Sequence, residues 1–285
     1  MPTGVGINTV SQRKMQLYDA IGRNYAKTRL ADTRIVSGLV ESLHLSHSST
    51  ILDVGAGTGK YSRALADLGF TVLSIEPSEI MRGQSLSHPR VTTIAAHAED
   101  IPLPSDSADG AIIVLALHHF PDRKKALTEI LRVIGSGPLV IFSFLPHALG
   151  KFWLAEYFPK LGREIGSSFS QLEDVAEEVR GLTGRAVRKI PFLLPRDLKD
   201  RFAAAGWAEP ESYLSSEVRD GISSFALMDP EEVSEGIYRL SADLASGAWD
   251  SRNGSLRVQE RFDAGYHFIV AEAEALQPTA LSGRG

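Results

Sequence analysis

Residues 51–60 read ILDVGAGTGK. Gly55, Gly57 and Gly59 stand at alternate positions, just after an apolar run that carries Asp53 near its end. Glycine admits positive φ and has no Cβ to block close approach. A strand that ends in such a turn and opens into a helix presents bare backbone N–H groups to a ligand. Dinucleotide folds space these glycines as G-x-G-x-x-G. Here Lys60 falls where the third glycine of that pattern would be. An acid at the strand end is awkward for a diphosphate but suits a ligand with a cationic ammonium and no phosphate. Farther on, Glu76 closes a second apolar stretch in SIEPS. A carboxylate there can accept hydrogen bonds from two vicinal ribose hydroxyls. Together the two acids describe a nucleoside that carries an amino acid, S-adenosylmethionine. His118 and His119 follow a later apolar run, in ALHHF. Either is a candidate general base on an acceptor, because imidazole titrates near working pH. The alternative is that His119 packs under the next helix, whose start Pro121 marks. The residues alone leave both readings open.

These side chains need elements to position them, and between residues 50 and 144 strands and helices alternate. TILDVG, TVLSIEP, RVTTIAA, DGAIIVLAL and GPLVIFSF read as strands. GKYSRALADLG, SEIMRGQS with Ser78 as N-cap, and DRKKALTEILRVIG read as helices. DGAIIVLAL is apolar without alternation, as expected of a strand covered on both faces. Such alternation predicts a parallel sheet with helices on both sides. Before it, Leu17, Ile21 and Tyr25 mark one helix, and Asp32 to Leu45 a second. After it, an aromatic helical stretch, HALGKFWLAEYFPKLGREIG, is followed by helices in DVAEEVRGLTG, PRDLKDRFAAAGW and DPEEVSEGIYRLSADLASG. A strand is expected near ESYLSSEV and a last one in AGYHFIVAEA.

Four segments in order, LDVGAGTGKYS, IEPSEIM, AEDIPLPSDSADGAIIVLALHHF and ALTEILRVIGSGPLVIFSF, give the chain its resemblance to a known family. It resembles the class I S-adenosylmethionine-dependent methyltransferases, in the small-molecule group that includes the ubiquinone/menaquinone methyltransferases. The resemblance implies an α/β fold: a seven-stranded, doubly wound Rossmann-like sheet with an N-terminal helical cap and a helical lid. It implies a cap over residues 1–47, a donor-binding core over 48–145, a lid over 146–195, a completion of the core over 196–276 with an inserted helix, and a disordered tail over 277–285. The connection between the last two strands is expected at about residues 220–263.

The resemblance also implies roles. Asp53 orders the loop and takes the donor's ammonium, while the backbone of Gly55, Ala56, Gly57 and Gly59 holds its methionine part. Glu76 takes the ribose hydroxyls. Pro77, Ile80 or Met81 packs on adenine, and Ala98 and Glu99 lie at its edge. The family often has an acid just before that alanine; this chain has His97. Leu115 and Ala116 line the methyl-transfer side. Tyr18, Tyr25 and Arg29 of the cap reach the donor's carboxylate, or else the cap packs on the sheet with its arginine in water. Phe152, Trp153, Tyr157 and Phe158 form either a lid wall facing an apolar acceptor or ordinary core. Trp207 is expected in the core, and Arg180, Arg185, Arg188 and Lys189 on a solvated surface.

Composition narrows the partners. The 285 residues contain no cysteine, which excludes disulfides, thiolate metal sites and cysteine nucleophiles. A formal net charge of -5 gives no electrostatic footprint for nucleic acid or anionic membrane. No acid or histidine cluster has metal-ligand spacing. The N-terminal stretch lacks an apolar signal core and no apolar run has spanning length. The expectation is a cytoplasmic enzyme, monomer or homodimer, that methylates a small molecule. Its rivals are a non-catalytic protein that binds the same donor, an RNA methyltransferase and a nicotinamide oxidoreductase.

Overall fold

The computed structural model describes residues 27–145, 148, 152–160 and 172–273. Helix α1 (Thr33–Leu43) begins at Asp32, whose carboxylate accepts from the Arg34 N–H at the N-cap. Its apolar face buries Ile35, Val36, Leu39 and Leu43. The strand–helix alternation then follows as β1 (Thr50–Val54), α2 (Lys60–Asp67), β2 (Thr71–Ile75), α3 (Glu79–Gly83), β3 (Val91–Ile94), β4 (Gly110–Val114), α4 (Arg123–Ile134) and β5 (Leu139–Phe144). Asp122 caps α4 and Ser78 caps α3 with their side chains, whereas α2 starts at Gly59 without one. Short helix α5 (Leu154–Tyr157) and α6 (Leu172–Thr183) lead to β6 (Val187–Pro191) and β7 (Leu194–Pro195). Four more helices, α7 (Ser216–Asp220), α8 (Ser223–Ala226), α9 (Pro230–Ser246) and α10 (Ala248–Asn253), precede β8 (Arg261–Phe262) and β9 (Tyr266–Ala271).

The main sheet has seven strands in the order β3-β2-β1-β4-β5-β9-β6. The first five are parallel, with Leu52 opposite Leu73 on one side and Ala111 on the other. Strand β9 runs antiparallel between β5 and β6, with Phe268 opposite Phe142 and Ile190. The core therefore has two layers. Ile51, Val72, Ile112 and Phe142 pack with α1 and α2 on one face. Leu52, Ile75, Ile113 and Ile141 pack with α4 and α6 on the other. The unalternating apolarity of β4 and β5 follows from this, since each face is covered. Among the described residues, no helix is long and apolar enough to cross a membrane.

The C-terminal half departs from the sequence expectations. The segment expected to be helical, PRDLKDRFAAAGW, is a run of turns. Its backbone groups bond elsewhere: Arg201 N–H donates to Thr28 O at 3.1 Å, and Gly206 N–H to Tyr213 Oη at 3.1 Å. Tertiary partners override helix propensity there. ESYLSSEV is not a strand but a 3-10 turn (Pro210–Leu214) followed by α7. Pro210 lacks the N–H a strand ladder needs. The missing sheet strand is β6, in the stretch expected to be only solvated surface. The charges of Arg188 and Lys189 on this outermost strand guard the edge. Arg185 is no bystander either: it donates to the carbonyls of Gly137 and Gly135 at 2.7 and 2.6 Å. Thus α6 and β6 complete the main layers from within the segment expected to be a lid, and the connection before the last strand spans 192–265.

The aromatic cluster is core. Phe152, Trp153, Tyr157 and Phe158 are all at most 5% exposed. Trp153 donates its indole N–H to Trp207 O at 3.0 Å and meets Trp249 and Tyr213 edge-on. Trp207 is fully buried and stacks on Phe262, as expected.

Candidate active site

A cavity opens at the carboxyl ends of β1, β2 and β4, the edge where open α/β sheets take ligands. The glycine loop forms its floor. Gly55, Gly57 and Gly59 all have positive φ, between 60° and 72°. Gly55 is the position most tightly fixed: a Cβ there would lie 2.5 Å from Ala116 Cβ, so β4 and the loop touch only because the side chain is absent. Gly55 and Ala56 N–H both bond to Ile75 O, tying the loop to β2. Gly55, Ala56 and Gly57 line the cavity, whereas Gly59 caps α2 without reaching it.

Two carboxylates border this floor. Asp53 is 2% exposed, and its Oδ2 accepts from Ser62 Oγ at 2.5 Å. Burial pushes its pKa up to about 6, the Ser62 bond opposes that, and the nearby charge of Glu76 adds to it. Glu76 does more than the sequence suggested. Its Oε2 accepts from Gly57 N–H and its Oε1 from Ser78 N–H, both at 2.8 Å. One side chain thus shapes the glycine loop and the start of α3. A carboxylate has about four acceptor sites, so these two bonds leave it able to take two hydroxyls. Burial raises its pKa, against the two backbone bonds that lower it.

Beyond Glu76, the wall is made by Pro77, Met81, His97, Ala98 and Glu99. Ile80 does not reach the cavity. Glu99 also accepts from Asp122 N–H at 3.2 Å, helping to start α4. On the opposite side stand Leu115, Ala116 and His119. Leu115 has φ 53°, a left-handed conformation rare for a bulky residue and concentrated at functional sites. His118 does not line the cavity; its ring lies 3.6 Å from that of His119 and edge-on to Phe144. Only one of the paired histidines therefore lines the cavity. Arg29 lines the cavity and is 7% exposed, so of the two readings the arginine in water does not hold. Tyr18 and Tyr25 lie outside the described residues.

Sequence reasoning missed Lys60 and Tyr61, which also line the cavity, and Asp200, which holds both. Lys60 carried a signal, a cation directly after the glycines on the first turn of α2. Asp200 carried none, because its segment reads as a helix.

The profile described as a methyltransferase domain matches residues 52–142, the span that builds this cavity. Among solved structures, a putative methyltransferase from an antibiotic biosynthesis pathway of Anabaena variabilis is 43% identical, with a TM-score of 0.83. The match covers 86% of this chain and 98% of that one. This chain belongs to the class I S-adenosylmethionine-dependent methyltransferases. Curated relatives agree over the core. The ubiquinone/menaquinone C-methyltransferase of Geobacter is 32% identical over 145 residues, 46% of this chain and 62% of that protein. A tRNA (carboxymethyluridine(34)-5-O)-methyltransferase of Arabidopsis thaliana is 32% identical over 139 residues, 45% of this chain and 31% of that protein. This methyltransferase thus spans less than two thirds of both.

The cofactor of the family, S-adenosylmethionine, suits the residues present. The glycine floor offers bare backbone where Gly55 excludes a Cβ. A buried acid stands at the Asp53 end for an ammonium, and Glu76 beyond the loop for a diol. Pro77 and Met81 give an apolar face for a base.

Proposed function

We propose that this methyltransferase moves the methyl group of S-adenosylmethionine to a nucleophilic O, N, C or S atom of a small molecule. The observation that carries this reading is the pairing of Asp53 and Glu76 across a glycine floor that only a side-chain-free backbone can form. When bound, the donor supplies a methyl carbon on a cationic sulfur, which asks for an aligned nucleophile and a dry site more than for a strong acid. Asp53 and the Gly55–Gly57 backbone would hold the amino-acid end. Glu76 would hold the ribose, with Pro77 and Met81 on the base. Leu115 and Ala116 would bound the transfer side and exclude water from it. His119, which lines the cavity, would accept a proton from an acceptor that must lose one.

The small-molecule class is supported by the acidic net charge of -5, which repels a phosphate backbone. It is also supported by the quinone methyltransferase among the relatives. The test is a transfer screen with donor labelled at the methyl carbon, run against a metabolite extract and against total RNA. Label in a small organic product is the expected outcome. Label confined to RNA would overturn the acceptor class, and donor binding with no label in either pool would overturn catalysis.

A further inference from the structure

Behind the wall of the donor cavity lies a carboxylate with no exposed surface, Asp200. Its Oδ1 accepts from Arg29 Nε at 2.5 Å. Its Oδ2 accepts from Lys60 Nζ at 2.7 Å and from Tyr61 Oη at 2.9 Å. All three partners line the cavity, on the side of Asp53 and the glycine loop, whereas Asp200 itself does not reach it. The partners come from distant parts of the chain. Arg29 precedes α1, and Lys60 and Tyr61 open α2. The backbone joins in: Arg29 and Asp200 form an isolated antiparallel bridge, and Arg29 Nη1 donates to Gly221 O at 2.9 Å.

Such a cluster is a poor way to gain stability. Desolvating charges offsets most of their attraction, and apolar residues of the same volume usually do as well or better. What the cluster does supply is orientation. One carboxylate fixes two basic groups at one end of a ligand cavity; burial and the nearby Arg29 charge lower the pKa of Lys60 to about 7, against the Asp200 charge and hydrogen bond, which raise it. Asp53 at the same end suits an ammonium. An amino-acid ligand carries a carboxylate beside its ammonium, and the Arg29 and Lys60 groups complement it.

We propose that Asp200 is a positioning residue that aims Arg29 and Lys60 at the carboxylate of the methyl donor, and that Lys60 is a second recognition group for that carboxylate. The enzyme thereby selects a donor by its amino-acid end as well as by its nucleoside. The inference rests on the cavity being the donor site.

The test compares the affinity of S-adenosylmethionine with that of decarboxylated S-adenosylmethionine, which keeps the ammonium, sulfonium and nucleoside and lacks only the carboxylate. Wild-type protein should prefer the intact donor about tenfold or more, the scale of a hydrogen bond between charged groups. Asp200→Asn should weaken the intact donor about tenfold and leave the decarboxylated one nearly unchanged, so that the preference collapses. Lys60→Gln, which leaves the buried acid in place should Asp200→Asn not fold, should show the same selective loss, and Lys60→Arg should restore the preference. Equal weakening of both ligands would show a merely structural cluster and overturn the proposal. Unchanged affinities in Lys60→Gln, or a wild type indifferent to the carboxylate, would also overturn it. A wild type that binds neither ligand would instead remove the donor reading, and this inference with it.

Discussion

Asp53 is the residue on which opposite demands meet. Its usual carboxylate value is 3.8, and burial moves it to about 6 in the folded protein. Between those values the folded state binds more protons than the unfolded chain. The contribution of Asp53 to stability is therefore greatest below about pH 3.8 and is lost as pH rises through about 6. Ligand binding runs the other way, because an ammonium needs the ionised form. Asp53→Asn keeps an acceptor for Ser62 and removes the charge. Thermal unfolding of the ligand-free variant at pH 8 should show a gain of about 1–3 kcal/mol over wild type, since a tenfold difference in proton affinity between the folded and unfolded states is worth about 1.4 kcal/mol. The same variant should lose about 1–3 kcal/mol of donor affinity at pH 8 by calorimetry. Wild-type affinity should fall as pH drops below about 6, and the variant's should fall less, with Glu76 the remaining carboxylate that is protonated there. Stability and affinity that both decline in Asp53→Asn would contradict this account of the buried acid. Asp53 and Glu76 were legible in the sequence because each ends a strand beside a turn. That Glu76 also bonds the Gly57 and Ser78 N–H groups was not legible, because it depends on how closely β2 approaches the loop.

At the scale of elements, the site depends on the end of β4 meeting the glycine loop. A Cβ on Gly55 would collide with Ala116 Cβ and sit at φ 72°. Gly55→Ala should therefore cost about 1–3 kcal/mol of stability from the strained backbone alone, and abolish donor binding. Adding Ala116→Gly removes the collision but not the conformational strain. Chemical denaturation should show the pair recovering part of the loss. Full recovery would mean that the left-handed turn is not required. The alternating elements from residue 50 to 144 were readable because each obeys local rules: an apolar strand, a capping residue, an amphipathic helix. The 195–207 turns, the 3-10 turn at Pro210–Leu214 and strand β6 were not, because their form is set by partners far away in sequence. Thr28 takes the Arg201 N–H, Tyr213 takes the Gly206 N–H, and β6 exists as a strand only beside β9.

Over the whole molecule, the described residues of the C-terminal half supply a second wall of the core. Trp153 sits among Phe152, Tyr157, Tyr213 and Trp249, away from the donor cavity. Trp153→Ala should cost about 3–5 kcal/mol by denaturant unfolding, the range for truncating a large buried aromatic, and leave donor affinity unchanged. A loss of affinity without a loss of stability would restore that cluster to the ligand side. The same half brings Asp200 to the back of the donor wall, so the part of the chain least readable from its sequence supports the part most readable. The central claim is that this cavity cradles an adenosine-bearing sulfur cation, and a crystal structure with S-adenosylhomocysteine at saturating concentration tests it most directly. The account expects the ribose hydroxyls on Glu76, the ammonium on Asp53 and the base against Pro77 and Met81. Density for the nucleoside elsewhere, or none in this cavity, would contradict it.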